Sequence, residues 1–235
     1  MITHRLPDGT TPDPPARSAA LDDRLGSVGR PSWRGRLHLI ALISATPLLV
    51  MLAIESNGAR ARAAVIMYAV GLCSMLAVST TYHRWVHTTR ARAAWRRADH
   101  ATIFAAIAGT FAAIALICLG TGAAIATLIV VWGAAVSSAI VKVFWFDRAH
   151  RFGSVMYVGL GWAGIAIAPS LWQNGGTPAV ALVLAGGVIY TAGAVAFARQ
   201  WPTLRVSTFS FHEFWHACTL AAAGLHLAAI WTLAT

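Results

Sequence analysis

The sequence predicts an all-α integral membrane protein, a bundle of seven transmembrane helices with a cytosolic N-terminus and an extracytoplasmic C-terminus. Of its 235 residues, 57% are hydrophobic and only 11% are charged, and the mean hydropathy is +0.64. Soluble domains carry roughly 25% charged residues, so a water-soluble fold of this composition would lack a polar surface. Membrane embedding of the apolar segments is the simplest explanation.

The chain divides into a tail and one membrane domain. Residues 1–32 are rich in Pro, Arg, Asp and Gly, and we expect them to form a disordered cytosolic tail because they cannot bury much apolar surface. The tail lacks the apolar core of a signal peptide, so the first spanning helix is expected to act as the insertion signal. Residues 33–235 are predicted to form the membrane domain.

Seven apolar segments follow the tail, each close to the length of roughly 20 residues that crosses the hydrocarbon layer of a bilayer. They lie at residues 37–54, 63–83, 100–119, 122–143, 153–172, 179–198 and 212–232. Only Gly120-Thr121-Gly122 separates the third segment from the fourth, so a tight turn is required there. Small residues inside the spans, such as Gly186 and Gly187, allow helices to pack closely in lipid.

The basic residues predict the orientation. Of the 18 Lys and Arg residues, only Arg60 and Arg62 fall on the second side of the predicted topology. The other sixteen lie in the tail and in alternate loop regions, which the positive-inside rule places in the cytosol. This clustering also explains the net charge of +10 without nucleic acid, because no basic patch is interleaved with aromatic residues. We expect a multi-pass protein of the plasma membrane.

The start of the last span carries the clearest chemical pattern. His212 and His216 lie four residues apart, about one helical turn, so their side chains point to the same side of a helix. Two histidines at this spacing are typical of a zinc site. Glu213 is either a general base, as in soluble HExxH metalloproteases, or a group that supports the site or faces the cytosol. The downstream ligand of a metzincin is absent, and the second role is favoured.

The predicted topology brings other polar residues to the level of this pair. The second span ends with Ser79 and His83, and the third begins with Asp99 and His100. Three neutral imidazoles and a water complete a tetrahedral zinc site with one open position, which is the catalytic pattern. Asp99 could hold or deprotonate that water, and Ser79 could support the site or bind a substrate carbonyl. Taken alone, His83 could be an interfacial residue and Asp99 a helix cap.

The remaining histidines have less specific settings. His226 shares a helix face with His212 but lies about 21 Å deeper, too far to bind the same ion. It is expected either to line a polar cavity or to hydrogen-bond with a neighbouring helix. Three others, at the ends of spans or in loops, are expected to be interfacial or loop residues: His38, His87 and His150.

Three segments together carry a family resemblance. They are Ser79-Thr80-Thr81-Tyr82-His83, Arg96-Arg97-Ala98-Asp99-His100, and His212-Glu213-Phe214-Trp215-His216 with His226 ten residues further on. Supporting stretches are Arg34-Gly35-Arg36-Leu37-His38, Ile107-Ala108-Gly109-Thr110, Lys142 and Leu184-Ala185-Gly186-Gly187-Val188-Ile189-Tyr190-Thr191. From about residue 31 to 231, the chain resembles the haemolysin III proteins of the progestin and adipoQ receptor superfamily.

The resemblance implies a seven-helix bundle with an inside N-terminus and a zinc ion held by His83, His212 and His216. It places the family's aspartate, near the zinc-bound water, at Asp99 and the family's serine at Ser79. Adiponectin receptors and the related alkaline ceramidases imply hydrolysis of lipid amides, so membrane lipid is the expected partner. Many relatives have a Tyr-Thr-Pro run where this chain has Phe111-Ala112-Ala113, so the cavity beside the third helix is expected to differ.

The favoured hypothesis is therefore a zinc-dependent hydrolase of lipid amide or ester bonds, in which Asp99 orients the water. In a second hypothesis the zinc is structural, and the protein is a membrane receptor, channel or regulator. In a third the protein is cytolytic, although seven apolar spans argue against a toxin that is released in soluble form. Zinc is inferred from the ligand type, since imidazoles also suit iron, nickel and copper. The sequence makes no prediction of the oligomeric state.

Overall fold

A computed structural model of the chain describes residues 31–145, 150–205 and 207–235. Seven α-helices lie within these ranges: α1 Arg36–Glu55, α2 Gly58–Arg84, α3 Thr89–Cys118, α4 Thr121–Phe144, α5 His150–Trp162, α6 Ala168–Ala198 and α7 Phe211–Ala234. A short 3-10 helix, Ala163–Ile167, joins α5 to α6. The predicted disordered tail falls almost wholly on residues 1–30, outside the described part of the chain.

The described residues contain six helical segments that are long and apolar enough to cross a membrane. They are Arg36–Glu55, Gly58–Arg84, Arg90–Cys118, Thr121–Phe144, Val155–Ala198 and Phe211–Ala234. The predicted all-α membrane class is confirmed. The count differs from the seven predicted spans because Val155–Ala198 is one 44-residue segment where the sequence predicts two. Its contour length is about 66 Å at the helical rise of 1.5 Å per residue, roughly twice the hydrocarbon thickness.

A kink at Gly176 folds this long segment. Gly176 has φ 63° and ψ −168°, a conformation that glycine tolerates and other residues rarely adopt, and Pro178 follows it. On one side of the kink, the Trp162 indole N–H donates to Thr191 Oγ1 on the other side, at 2.9 Å. The two arms of the segment therefore lie side by side.

Glycines allow the closest helix contacts. A Cβ atom at Gly71 in α2 would lie 2.5 Å from the Ala105 carbonyl oxygen in α3, and one at Gly109 in α3 would lie 2.8 Å from the Met67 carbonyl oxygen. Only glycine therefore permits this approach of α2 to α3, as small residues do at helix interfaces in lipid. The predicted tight turn is confirmed, since α3 ends at Cys118 and α4 begins at Thr121.

Backbone hydrogen bonds fix which helix ends lie together. The Ser32 amide donates to the Ser207 carbonyl at 3.0 Å, so the start of α1 lies beside the loop that leads into α7. At the opposite end, the Asn57 amide after α1 donates to the Ala234 carbonyl at 2.8 Å. Because α2 runs back from this second end, its C-terminus with His83 returns to the end where α7 begins.

The outer surface of the bundle is apolar. Large side chains such as Ile43 and Ile129 are more than half exposed, as expected for residues that face lipid. Exposed tryptophans follow the ends of α2, α4 and α6: Trp85, Trp145 and Trp201. This arrangement agrees with the interfacial positions that tryptophan favours in membrane proteins.

Candidate metal centre

The first turn of α7 is set by a capping box. The Ser210 hydroxyl accepts a hydrogen bond from the His212 amide at 3.3 Å, and the Glu213 carboxylate accepts one from the Ser210 amide at 2.8 Å. Such a pair satisfies amides that the first helical turn leaves without partners. It fixes the start of the helix, so that His212 and His216 project from successive turns.

The third imidazole comes from the last turn of α2. His83 Nε2 lies 3.2 Å from His212 Nε2, and one ring nitrogen from each of His83, His212 and His216 lies within 4.8 Å of the others. His83 and His216 are buried and His212 is half-buried. The three predicted ligands thus form one group that could hold a metal ion.

The donor set of this metal group, His83, His212 and His216, fits zinc. Zn–N bonds of about 2.0–2.1 Å at tetrahedral angles separate the ligand nitrogens by about 3.4 Å. The His83–His212 pair at 3.2 Å is already close to that spacing, and the ring nitrogens of the other pairs lie within 4.8 Å. Neutral imidazoles are also the ligands that a site of low polarity can hold without burying ligand charge.

Asp99 and Ser79 lie beside the metal group. Asp99 Oδ2 is 3.8 Å from His83 Nε2, and Ser79 and Asp99 line the same small cavity. His216 and Thr219 also line this cavity, which has room for a water molecule. The structure therefore brings both predicted catalytic residues to the edge of the predicted metal site.

His100 also lies near the metal group, but its contacts are with Asp99 and with the backbone of α3. Its Nδ1 lies 4.0 Å from Asp99 Oδ2 and 2.9 Å from the Arg96 carbonyl, one turn earlier in α3. The Tyr157 hydroxyl donates to the His100 carbonyl at 3.1 Å and so connects α5 to this part of α3. His100 stands outside the group of three.

Glu213 faces protein and not the cytosol. It is 1% exposed, and one carboxylate oxygen accepts from the Arg34 guanidinium while the other accepts from the Ser210 amide and hydroxyl. The alternative that Glu213 faces the cytosol is wrong, because the side chain is buried and Arg34, in the segment just before α1, covers it. With both oxygens bound to protein groups, the structure favours a supporting role over that of general base.

His38 is the site residue that sequence reasoning missed. The prediction of an interfacial or loop position is wrong, because the side chain is 4% exposed and its ring is stacked on His216, with ring centroids 3.9 Å apart. His87 is exposed, as predicted, and the His150 side chain lies outside the described part of the structure. The available signal was Arg34-Gly35-Arg36-Leu37-His38, which puts His38 one turn after Arg34.

Gly35 explains how α1 comes this close. Its φ of 72° lies in the left-handed region, and a Cβ atom there would lie 2.8 Å from His83 Cβ. Glycine therefore serves two needs at this position, the turn into α1 and the contact with the last turn of α2. The contact places the start of α1 against the metal group.

A larger apolar cavity adjoins the small polar one. It has a volume of about 140 Å³ and lies between α2, α3, α5, α6 and α7. Met75 and Thr219 line both cavities, so the two are neighbours. His226 lines the apolar cavity, and its Nε2 lies 3.3 Å from the Val183 carbonyl in α6. The predicted hydrogen bond with a neighbouring helix is therefore confirmed, whereas the cavity that His226 lines is apolar and not the polar one of the other alternative.

The chain is similar to known membrane proteins over most of its length. A family model described as Haemolysin-III related matches residues 27–227. The chain is also similar to Hemolysin-3 of Bacillus cereus, with 28% identity over 191 residues, which cover 80% of this chain and 84% of that protein. The family match includes every residue of the metal group and its two neighbours, Ser79 and Asp99.

Proposed function

The chain belongs to the haemolysin III-related family, which sits within the progestin and adipoQ receptor superfamily, and on that premise we propose that it is a zinc-dependent membrane hydrolase of lipid amide or ester bonds. The observation that carries the proposal is the adjacency of three features. They are the metal group, the small cavity with Asp99 and Ser79, and the apolar cavity that shares Met75 and Thr219 with it.

The chemistry follows from these neighbours. When bound, zinc supplies Lewis-acid activation of water and of a carbonyl group. Asp99 would accept a hydrogen bond from a water in the small cavity and take its proton as the water oxygen bonds to the carbonyl carbon. The same carboxyl group would then give that proton to the amine nitrogen or alcohol oxygen that leaves when the C–N or C–O bond breaks. The Ser79 hydroxyl, on the wall of the same cavity, orients Asp99 or instead donates to the substrate carbonyl oxygen. Buried donors of this kind act strongly because little water competes with them.

The substrate class follows from the apolar cavity. Its lining is almost wholly apolar, and helices that face lipid surround it, so an acyl chain can occupy it while the polar bond lies in the small cavity. An amide or ester of a long-chain acid, such as a ceramide, has this combination of parts. Membrane lipid is thus the proposed substrate as well as the medium that surrounds the helices.

The proposed topology has seven spans, with a cytosolic N-terminus and the metal group on the cytosolic side of the plasma membrane. The kink at Gly176 supports it, because the arms of Val155–Ala198 lie side by side and each is long enough to cross once. Arg60 and Arg62 follow the start of α2, at the end opposite the metal group. The predicted excess of basic residues then lies at the same side of the membrane as the metal group, which the positive-inside rule assigns to the cytosol.

A turnover assay tests the hydrolase proposal. Purified protein with bound zinc is incubated with labelled ceramide and with an acyl ester of equal chain length. Asp99→Asn is expected to keep the zinc and lower turnover about 10²–10⁴-fold, the range for loss of a general base. His87→Ala, an exposed imidazole, is the control and should match wild type. Zinc-loaded wild-type protein that cleaves neither lipid class would contradict the proposal.

A structural zinc is the second candidate function, and one observation favours it. The imidazoles come from two helices distant in sequence, with His83 in α2 and the other two in α7. An ion between them would link these helices and stabilise a receptor, channel or membrane regulator. Under this alternative, zinc removal lowers the thermal midpoint strongly, while Asp99→Asn changes neither zinc content nor any lipid turnover.

The name of the Bacillus cereus relative raises cytolysis as a third candidate. Six apolar segments within the described residues favour insertion during synthesis over release in soluble form. Membranes that contain the overproduced protein would lyse erythrocytes under this candidate, and the effect would persist in His216→Ala. If His216→Ala lost both its zinc and its lytic activity, lysis would instead depend on the metal group.

A further inference from the structure

His38 adds a fourth imidazole beside the metal group, from a helix that supplies none of the three proposed ligands. Within α1 only His38, Leu49 and Leu52 are buried. The two leucines belong to the hydrophobic core. A polar ring buried in a membrane helix is costly unless it has a partner or a function, so His38 needs a separate explanation.

The contacts of His38 converge on one residue. Its ring is parallel to that of His216 within 8°, with ring centroids 3.9 Å apart. Its Nε2 lies 3.4 Å from Thr219 Oγ1, and the Thr219 hydroxyl donates to the His216 carbonyl at 2.8 Å. His38 therefore contacts the His216 ring directly and the His216 backbone through Thr219.

The stacked geometry excludes His38 as a ligand of the same ion. A metal ion bound to an imidazole lies in the ring plane, about 2.0–2.1 Å from the nitrogen. An ion in the plane of His216 would lie well outside the parallel plane of His38. The rings of His83 and His212, by contrast, are tilted from that of His216 by 61° and 50°, which lets their nitrogens point toward one ion.

We propose that His38 is a positioning residue, whose stacked ring holds the plane of the His216 imidazole and so sets the geometry of the metal site. The proposal rests on the proposed metal site. Ligand histidines are ordinarily held in orientation by neighbouring groups, and loss of such a neighbour weakens metal binding. Here, rotation of the His216 ring about its Cβ–Cγ bond would drive the ring edge into His38, because the two faces are in contact.

The same helix start carries a second link to α7. Arg34, one turn before His38, donates to Glu213, and this carboxylate caps the helix that bears His212 and His216. Gly35 between them lets α1 approach His83. The start of α1 thus contacts the elements that carry all three proposed ligands, and His38 is the part that contacts a ligand ring.

Cobalt binding by the full-length purified protein tests this role. Co²⁺ takes the same imidazole ligands as zinc, and its visible absorption reports the coordination geometry. His38→Phe keeps a flat ring without nitrogens, whereas His38→Leu and His38→Gln remove the ring. His87→Leu removes an exposed imidazole and is the matched control. Size-exclusion profiles show which variants fold, and His38→Gln keeps a polar side chain if His38→Leu does not fold.

The expected result distinguishes the contribution of the flat His38 ring from that of its nitrogen atoms. His38→Phe and His87→Leu keep the wild-type spectrum and affinity, while His38→Leu and His38→Gln bind Co²⁺ about 10–100-fold more weakly and show an altered spectrum. Wild-type behaviour of folded His38→Gln would overturn the proposal, and so would His38→Phe that binds as weakly as His38→Leu. Wild-type protein that binds no Co²⁺ would instead show that the metal site itself is wrong.

Discussion

Glu213 illustrates how the setting of a residue decides its role. In soluble metalloproteases the glutamate of HExxH reaches the metal-bound water. Here both carboxylate oxygens bind protein groups, Arg34 on one side and Ser210 on the other. The carboxylate next to the small cavity is that of Asp99, from a different helix. The two histidines occupy the same positions as in the soluble enzymes, whereas the carboxylate beside the site of the water comes from Asp99 and not from the glutamate of the motif.

Glu213→Gln should therefore change stability more than chemistry. The amide still accepts from the Ser210 backbone but loses the ion pair with Arg34, at a cost of about 1.5–3 kcal/mol for a hydrogen bond to a charged group. We expect a lower thermal midpoint, measured in detergent by scanning fluorimetry, with normal turnover per folded molecule. Glu55→Gln, at an exposed carboxylate, should leave the midpoint unchanged. Unaltered stability combined with lost turnover would identify Glu213 as the general base.

Residue-scale predictions from the sequence succeed where spacing and topology suffice. One helical turn relates His212 to His216, and alternation of spans brings His83 and Asp99 to their level; both follow from the chain alone. The stacking of His38 on His216 does not follow, because it depends on the approach of α1 to α7 and on the left-handed turn at Gly35. Such helix-to-helix distances are not encoded in the spacing along one segment.

At the scale of elements, the apolar cavity depends on which helices leave space between them. Gly187 in α6 lines it, and a Cβ atom there would meet nothing within 4 Å. Phe111 in α3 begins the Phe111-Ala112-Ala113 run by which the chain departs from the resemblance, and it also lines the cavity and packs on Gly164. The predicted difference in cavity shape at Phe111 stays a prediction.

Gly187→Leu is expected to fill part of this cavity. The added side chain takes space that an acyl chain would occupy, so the KM for long-chain lipid should rise several-fold while that for a short-chain analogue stays near wild type. Gly224→Leu in α7 is the matched control, since a Cβ atom there also meets nothing within 4 Å but Gly224 does not line the cavity. Equal effects of both variants on both chain lengths would exclude the cavity as the acyl site.

For the whole molecule, composition and hydropathy predict the membrane class, and the structure confirms it in the described residues. The sequence separates residues 153–172 from 179–198 at a polar stretch, whereas the structure has one segment with a kink at Gly176. Hydropathy does not show that the chain is helical on both sides of Gly176, because this depends on the local backbone conformation. The number of spans therefore depends on whether the chain reverses at this kink.

Reporter fusions can count the spans. We expect alkaline phosphatase, which is active only outside the cytosol, to be active when fused after Asn57, Gly120 or Gly176 and inactive after His87 or Gln200. A fluorescent protein that folds only in the cytosol should give the opposite pattern. The Gly176 fusion decides between the topologies, because an inactive phosphatase there would mean that Val155–Ala198 does not reverse across the membrane.

X-ray absorption at the zinc edge of the purified protein tests the central claim most directly, because it reports the metal and its neighbouring atoms together. The claim is that α2 and α7 jointly bind one ion through His83, His212 and His216. The predicted spectrum shows one zinc per chain with three imidazole nitrogens and one further light atom at about 2.0–2.1 Å. A preparation without metal, or a spectrum dominated by sulfur or carboxylate ligands, would contradict the claim.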